Sequence, residues 1–130
     1  MKYKYKPNLK RTIITIVLIG VSFFTLSLLG MRSDVKTACY EAINIFEGDC
    51  TDALIQIVAS DDFDYRQKNH AVWALGQLAD RKSLDFLLSI YADSSEVIPC
   101  DRNSNLCREE LDKAIKWCNN GNITSWMYNF

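Results

Sequence analysis

Five cysteines, a single histidine and a short acidic cluster are the side chains of this chain that could do chemistry. They are Cys39, Cys50, Cys100, Cys107 and Cys118, then His70, then Asp61, Asp62 and Asp64. A histidine beside a free thiol would pair a base with a nucleophile. No sequence neighbour of His70 supports that arrangement, and a surface or groove-lining histidine on a helix fits better. Structural zinc sites show two close-spaced ligand pairs. Here there is no C-x-x-C pair and only one His, so the cysteines are not expected to hold a metal. The aspartates lack the Gly and the distal Glu of a calcium loop. They read as a solvated turn in which Asp64 caps the helix that follows. No catalytic residue, metal or cofactor is expected, nor a small-molecule substrate, and the chain reads as a non-enzyme.

In an oxidising compartment the five cysteines read instead as disulfides. Cys100 and Cys107 bracket the segment CDRNSNLC, and a bridge between them would stabilise by about 2–3 kcal/mol. Cys39 and Cys50 are a second candidate pair, tying one helix to the start of the next. Cys118 is an alternative partner for Cys100 or Cys107. The odd count leaves one thiol free or paired between chains, and any of the five could be a small buried apolar side chain. Asn122-Ile123-Thr124 fits a glycosylation sequon, which matters in a eukaryotic host.

The compartment is set by an uncharged run from Thr12 to Met31, TIITIVLIGVSFFTLSLLGM. As a helix rising ~1.5 Å per residue it spans roughly 30 Å, the hydrocarbon thickness of a bilayer. Helical backbone satisfies its own polar groups, so one transmembrane helix is the economical reading. Lys2, Lys4, Lys6, Lys10 and Arg11 precede the run with no acid among them; Arg32, Asp34 and Lys36 follow it. The basic excess keeps the N-terminus cytoplasmic and sends the C-terminal part to the periplasmic or extracellular side. A cleaved signal peptide is the competing reading. Its best cleavage point, after Gly30, has Leu28 where a small residue is wanted, and the run is long for a signal core. No lipid-attachment Cys follows directly.

Residues 32–130 hold ten Lys or Arg against sixteen Asp or Glu. An acidic exported part excludes nucleic acid, whose phosphates need a basic face, and disfavours anionic lipid. About a hundred residues suffice for one small core. Pro occurs only at Pro7 and Pro99, and apolar residues recur at helical spacing. One helix is expected over 35–47, with Val35, Ala38, Cys39, Ala42, Ile43 and Phe46 inward and Gly48-Asp49 at its end. Further helices are expected over 51–59 (Leu54, Ile57, Val58 inward), 65–79 (Ala71, Ala74, Leu75, Leu78), 83–91 (Leu84, Leu87, Leu88, Tyr91) and about 108–118 (Leu111, Ala114, Ile115, Cys118). A polar loop fills 93–106. The pattern A-L-x-x-I-V at Ala53 returns as S-L-x-x-L-L at Ser83, thirty residues on. Such a period points to a helical solenoid.

Arg66, Ala71, Ala74-Leu75-Gly76-x-Leu78, Asp80 and Leu84-x-x-Leu87-Leu88 resemble a HEAT-like repeat of the phycobilin-lyase type over residues 65–91. Ala79 stands where that pattern has its second Gly. The resemblance implies an all-α short solenoid of helical hairpins, close helix approach at the small residues, and pairing along the stack between an Arg like Arg66 and an Asp like Asp80. The His-Glu pairs of iron-binding relatives are absent, and lyase activity is not implied, since fold does not fix function.

The expected organisation is a basic tail at 1–11, a transmembrane signal anchor at 12–31, a HEAT-like domain at 32–119 and an aromatic tail at 120–130. Arg66, Asn69, His70 and Trp73 are the expected partner-contact residues of the repeat. Trp126, Tyr128 and Phe130 either contact a partner or fold back to cap the open end of the stack. The expected role is a membrane-anchored scaffold that binds another protein or a peptide. The alternatives are an acidic immunity-like inhibitor of a basic partner, and a thiol redox protein.

Overall fold

A computed structural model of the chain describes residues 9–93 and 99–128. The first eight residues of the basic tail and Phe130 lie outside the described residues. All regular structure among the described residues is helical. The helices are α1 (Leu9–Ile45), α2 (Cys50–Ala59), α3 (Tyr65–Leu78), α4 (Leu84–Asp93) and α5 (Arg108–Asn120), with 3-10 turns at Arg81–Ser83 and Ser125–Tyr128. The chain divides into two compact units, Met1–Ser33 and Asp34–Phe130.

The first unit carries the apolar run, none of which is buried within the protein. Ile16, Phe23 and Leu26 are all more than 60% exposed. The helix is long and apolar enough to cross a membrane. Three of its hydroxyls are absorbed by its own backbone: Thr15 Oγ1 donates to the Arg11 carbonyl, Thr25 Oγ1 to that of Ser22 and Ser27 Oγ to that of Phe23, each at 2.9 Å. Such back-bonding gives these hydroxyls a partner without water.

The separate helix expected over 35–47 is instead the C-terminal part of α1, which runs on without a break. No Pro lies between Met31 and Ile45, so nothing interrupts the ladder of i→i−4 bonds. The helix stops at Ile45, ahead of Gly48, whose φ is 126°.

In the second unit α3 is the central element, packed on α2 along one side and on α5 along the other. Val72 and Gln77 are therefore buried beside the expected Ala71, Ala74 and Leu75. A helix with neighbours on two sides buries more than one stripe. Val35, Ala38, Cys39 and Ala42 of α1 are buried, as are Leu54, Ile57 and Val58 of α2 and Leu111, Ala114 and Cys118 of α5. Ile43 and Leu88, expected inward, are 46% and 45% exposed because they flank narrow stripes. Leu87 is the fully buried residue of α4. That helix packs on α5, and the Arg108 guanidinium lies 4.0 Å over the Tyr91 ring.

Local chemistry fixes the helix ends. Asp64 forms a capping box with Gln67: its Oδ1 accepts from Gln67 N–H at 2.8 Å, and Gln67 Oε1 accepts from Asp64 N–H at 3.1 Å. Asp49, expected to end a helix, instead begins one, accepting from Asp52 N–H at 2.9 Å. Ala79 closes α3 in the left-handed region at φ 52°, the place normally taken by glycine.

Candidate functional site

Three features of the second unit have surface or chemical potential: a cleft beside α3, the ordered C-terminal turn, and the cysteines. The cleft encloses about 780 Å³. Its floor comes from α3, whose Arg66, His70 and Trp73 recur at helical spacing along one face. The His70 and Trp73 rings stack at 5.4 Å with 9° between their planes. Opposite stand Asp34 of α1, Arg102 and Asn103 of the loop, and Glu110 of α5. Arg102 Nη2 meets Glu110 Oε1 at 3.1 Å, and Lys113 Nζ reaches the same oxygen at 3.6 Å.

The loop is held in place by two devices. Cys100 and Cys107 are disulfide-bonded, with their Cα atoms 4.8 Å apart. Asn69 then clamps the loop to α3. Its Nδ2 donates to the Asn105 carbonyl at 2.7 Å and to the Tyr65 carbonyl at 2.8 Å, while its Oδ1 accepts from Cys107 N–H at 2.8 Å. Asn69 lines the cleft but is only 4% exposed. The expectation that it contacts a partner is corrected: every hydrogen-bonding direction it offers points at this chain's own backbone. Arg66 and His70 are exposed and Trp73 is half-buried.

Arg66 and Asp80 form no ion pair with each other among the described residues. Asp80 Oδ2 accepts from the Thr51 hydroxyl at 3.0 Å and Oδ1 from Lys82 N–H at 3.0 Å, capping the first 3-10 turn. Arg66 sits at the opposite end of α3 and makes no ion pair among the described residues.

The C-terminal turn splits the aromatic tail into two roles. Tyr128 is 5% exposed and donates its hydroxyl to Gln77 Oε1 at 3.2 Å; burial pushes its pKa up. Met127 is buried alongside. Tyr128 therefore caps the core and is not a surface contact. Asn122 and Thr124 bond the same Gln77 oxygen and each other, with Thr124 Oγ1 donating to Asn122 Oδ1 at 3.0 Å. Ile123 and Trp126 point outward from this fixed turn, 91% and 70% exposed. Ile123 was not singled out by sequence reasoning; its place in the sequon was the only local signal.

Cys39 is bonded to Cys50 across the α1–α2 turn, their Cα atoms 4.9 Å apart. Cys118 is the remaining thiol. It is buried, 3.2 Å from Ser83 Oγ and 3.6 Å from the Leu75 carbonyl. Burial raises its pKa, the Ser83 hydrogen bond opposes that rise, and the nearby Asp80 charge adds to it. A thiol kept protonated and out of reach is a poor nucleophile. No protein-family model, curated protein or solved structure matches the chain.

Proposed function

We propose that this chain is a membrane-anchored protein-binding or scaffold module, with its helical unit displayed on the exported side of the membrane. The observation that carries the reading is the outward pair Ile123 and Trp126. Both sit on a turn whose neighbours are tied to Gln77, so they are presented in one geometry. A rigid exposed tryptophan beside an aliphatic side chain is the kind of anchor that dominates protein interfaces. Arg66, His70 and Trp73 offer a second contact surface in the cleft.

Export is supported by the basic N-terminal excess and by two disulfides, which persist in oxidising compartments. The HEAT-like reading draws support from the order of helices and from Gly76, where a Cβ would come within 2.9 Å of Ala114 Cα. Such close approach is what the small residues of that repeat pattern provide.

Photocrosslinking in the native membrane tests the proposal. A crosslinking residue at position 123 should capture one defined protein, and adding Trp126→Ala should cut that capture several-fold without moving the unfolding midpoint. Equal capture with and without Trp126, or none, would refute the partner. A C-terminal reporter that is active only outside the cytosol tests the orientation separately.

A further inference from the structure

The cleft beside α3 has a charge pattern that specifies its occupant. Four formally charged side chains line it: Asp34, Arg66, Arg102 and Glu110. Arg102 and Glu110 are already engaged, with Glu110 shared between Arg102 at 3.1 Å and Lys113 at 3.6 Å. Among the described residues Asp34 and Arg66 have neither an ion pair nor a side-chain hydrogen bond. The cleft thus offers one uncommitted anion and one uncommitted cation. A purely anionic or purely cationic ligand would satisfy one and be repelled by the other. A ligand carrying both signs satisfies both.

The chain's own connectivity limits how far the Asp34 edge of the cleft stands from the apolar run. Asp34 comes three residues after Met31, the end of the apolar run. Three residues reach at most about 10 Å in any conformation. The polar layer of one leaflet is roughly 5–7 Å thick. If the run spans a bilayer, Asp34 cannot stand far from the headgroups, however the two units are arranged.

We infer that the cleft binds the headgroup of a zwitterionic aminophospholipid, with its phosphate on Arg66 and its ammonium on Asp34. The guanidinium matches phosphate oxygens in bidentate geometry. The Trp73 ring, backed by the stacked His70, adds an aromatic face that attracts an ammonium. An anionic headgroup would satisfy Arg66 but leave Asp34 without a partner in an acidic domain. The site rests on the membrane anchor proposed above and not on the protein contact at Ile123 and Trp126; at Arg66, His70 and Trp73 the headgroup takes the place of the second protein contact.

The test uses the full chain in detergent micelles, with lipid retention read by native mass spectrometry. Phosphatidylethanolamine should be retained about tenfold better than phosphatidylglycerol. Asp34→Asn and Arg66→Gln should each cut that preference about tenfold, with unfolding midpoints unchanged because both side chains are exposed. Water-soluble glycerophosphoethanolamine should displace the lipid, which assigns recognition to the headgroup. Equal retention of the two lipids, or indifference to both substitutions, would overturn the site. Displacement by a mixed Lys–Glu peptide but not by glycerophosphoethanolamine would overturn it in favour of a peptide groove. Alkaline extraction of membranes reports on the anchor alone: a chain that resists extraction yet ignores phosphatidylethanolamine defeats the headgroup site and leaves the anchor standing.

Discussion

Gly76 shows how much one missing methyl group can decide. An added Cβ there would meet Ala114 Cα at 2.9 Å and the Trp117 ring at 3.0 Å. Alanine raises helix propensity by up to about 1 kcal/mol over glycine. Overpacking against a backbone atom costs about 1–3 kcal/mol, because no rotamer change relieves it. Gly76→Ala should therefore lower the unfolding midpoint, measured by circular dichroism, despite its better propensity. Ala79 is the opposite case, a side chain at φ 52° where glycine carries no steric cost. Ala79→Gly should stabilise by about 0.5–1 kcal/mol and raise the same midpoint by a few degrees. Cys118 belongs to this scale too. With its pKa raised by burial, it should resist iodoacetamide at pH 8 in the folded chain and react readily in guanidinium. Rapid alkylation of the native thiol would revive a redox role.

The join between α2 and the first 3-10 turn is electrostatic. Lys82 Nζ contacts the carboxylates of both Asp49 and Asp52. The Asp49 pKa is lowered first by the Asp52 backbone N–H it caps, then by Lys82. A depressed carboxylate stabilises the fold above its unfolded pKa, about 3.9, and that contribution is lost as pH falls through the folded value. Asp49→Asn keeps the cap but not the charge, so its stability should fall less than the wild type's between pH 5 and pH 2 in urea titrations. Ends of this local kind were legible in the sequence: Asp64 as a cap needs only its own chain neighbours. The cleft was half legible. Arg66, His70 and Trp73 share a face of one helix, and periodicity alone finds them. The far wall comes from Asp34, Arg102, Asn103 and Glu110, which only the tertiary fold brings near. Asn69 was misread for the same reason. By helical phase it is a surface residue, but its partners Asn105 and Cys107 lie 36 and 38 positions away. The continuity of α1 was missed because the change from apolar to charged residues looks like a boundary, although backbone hydrogen bonding is indifferent to side-chain polarity.

At the scale of the whole chain, the two disulfides do different work. The Cys100–Cys107 bridge closes a loop within the helical unit. The Cys39–Cys50 bridge spans the turn where α1 gives way to the rest of the unit. Residues 46–49 of that turn are exposed or half-buried and outside regular helix, which is where a protease would cut. A cut there severs the peptide but not the molecule, because both fragments still share a covalent sulfur link. Separating the two fragments would then require two independent insults, hydrolysis and a reductant. The bridge makes the attachment survive the first of them.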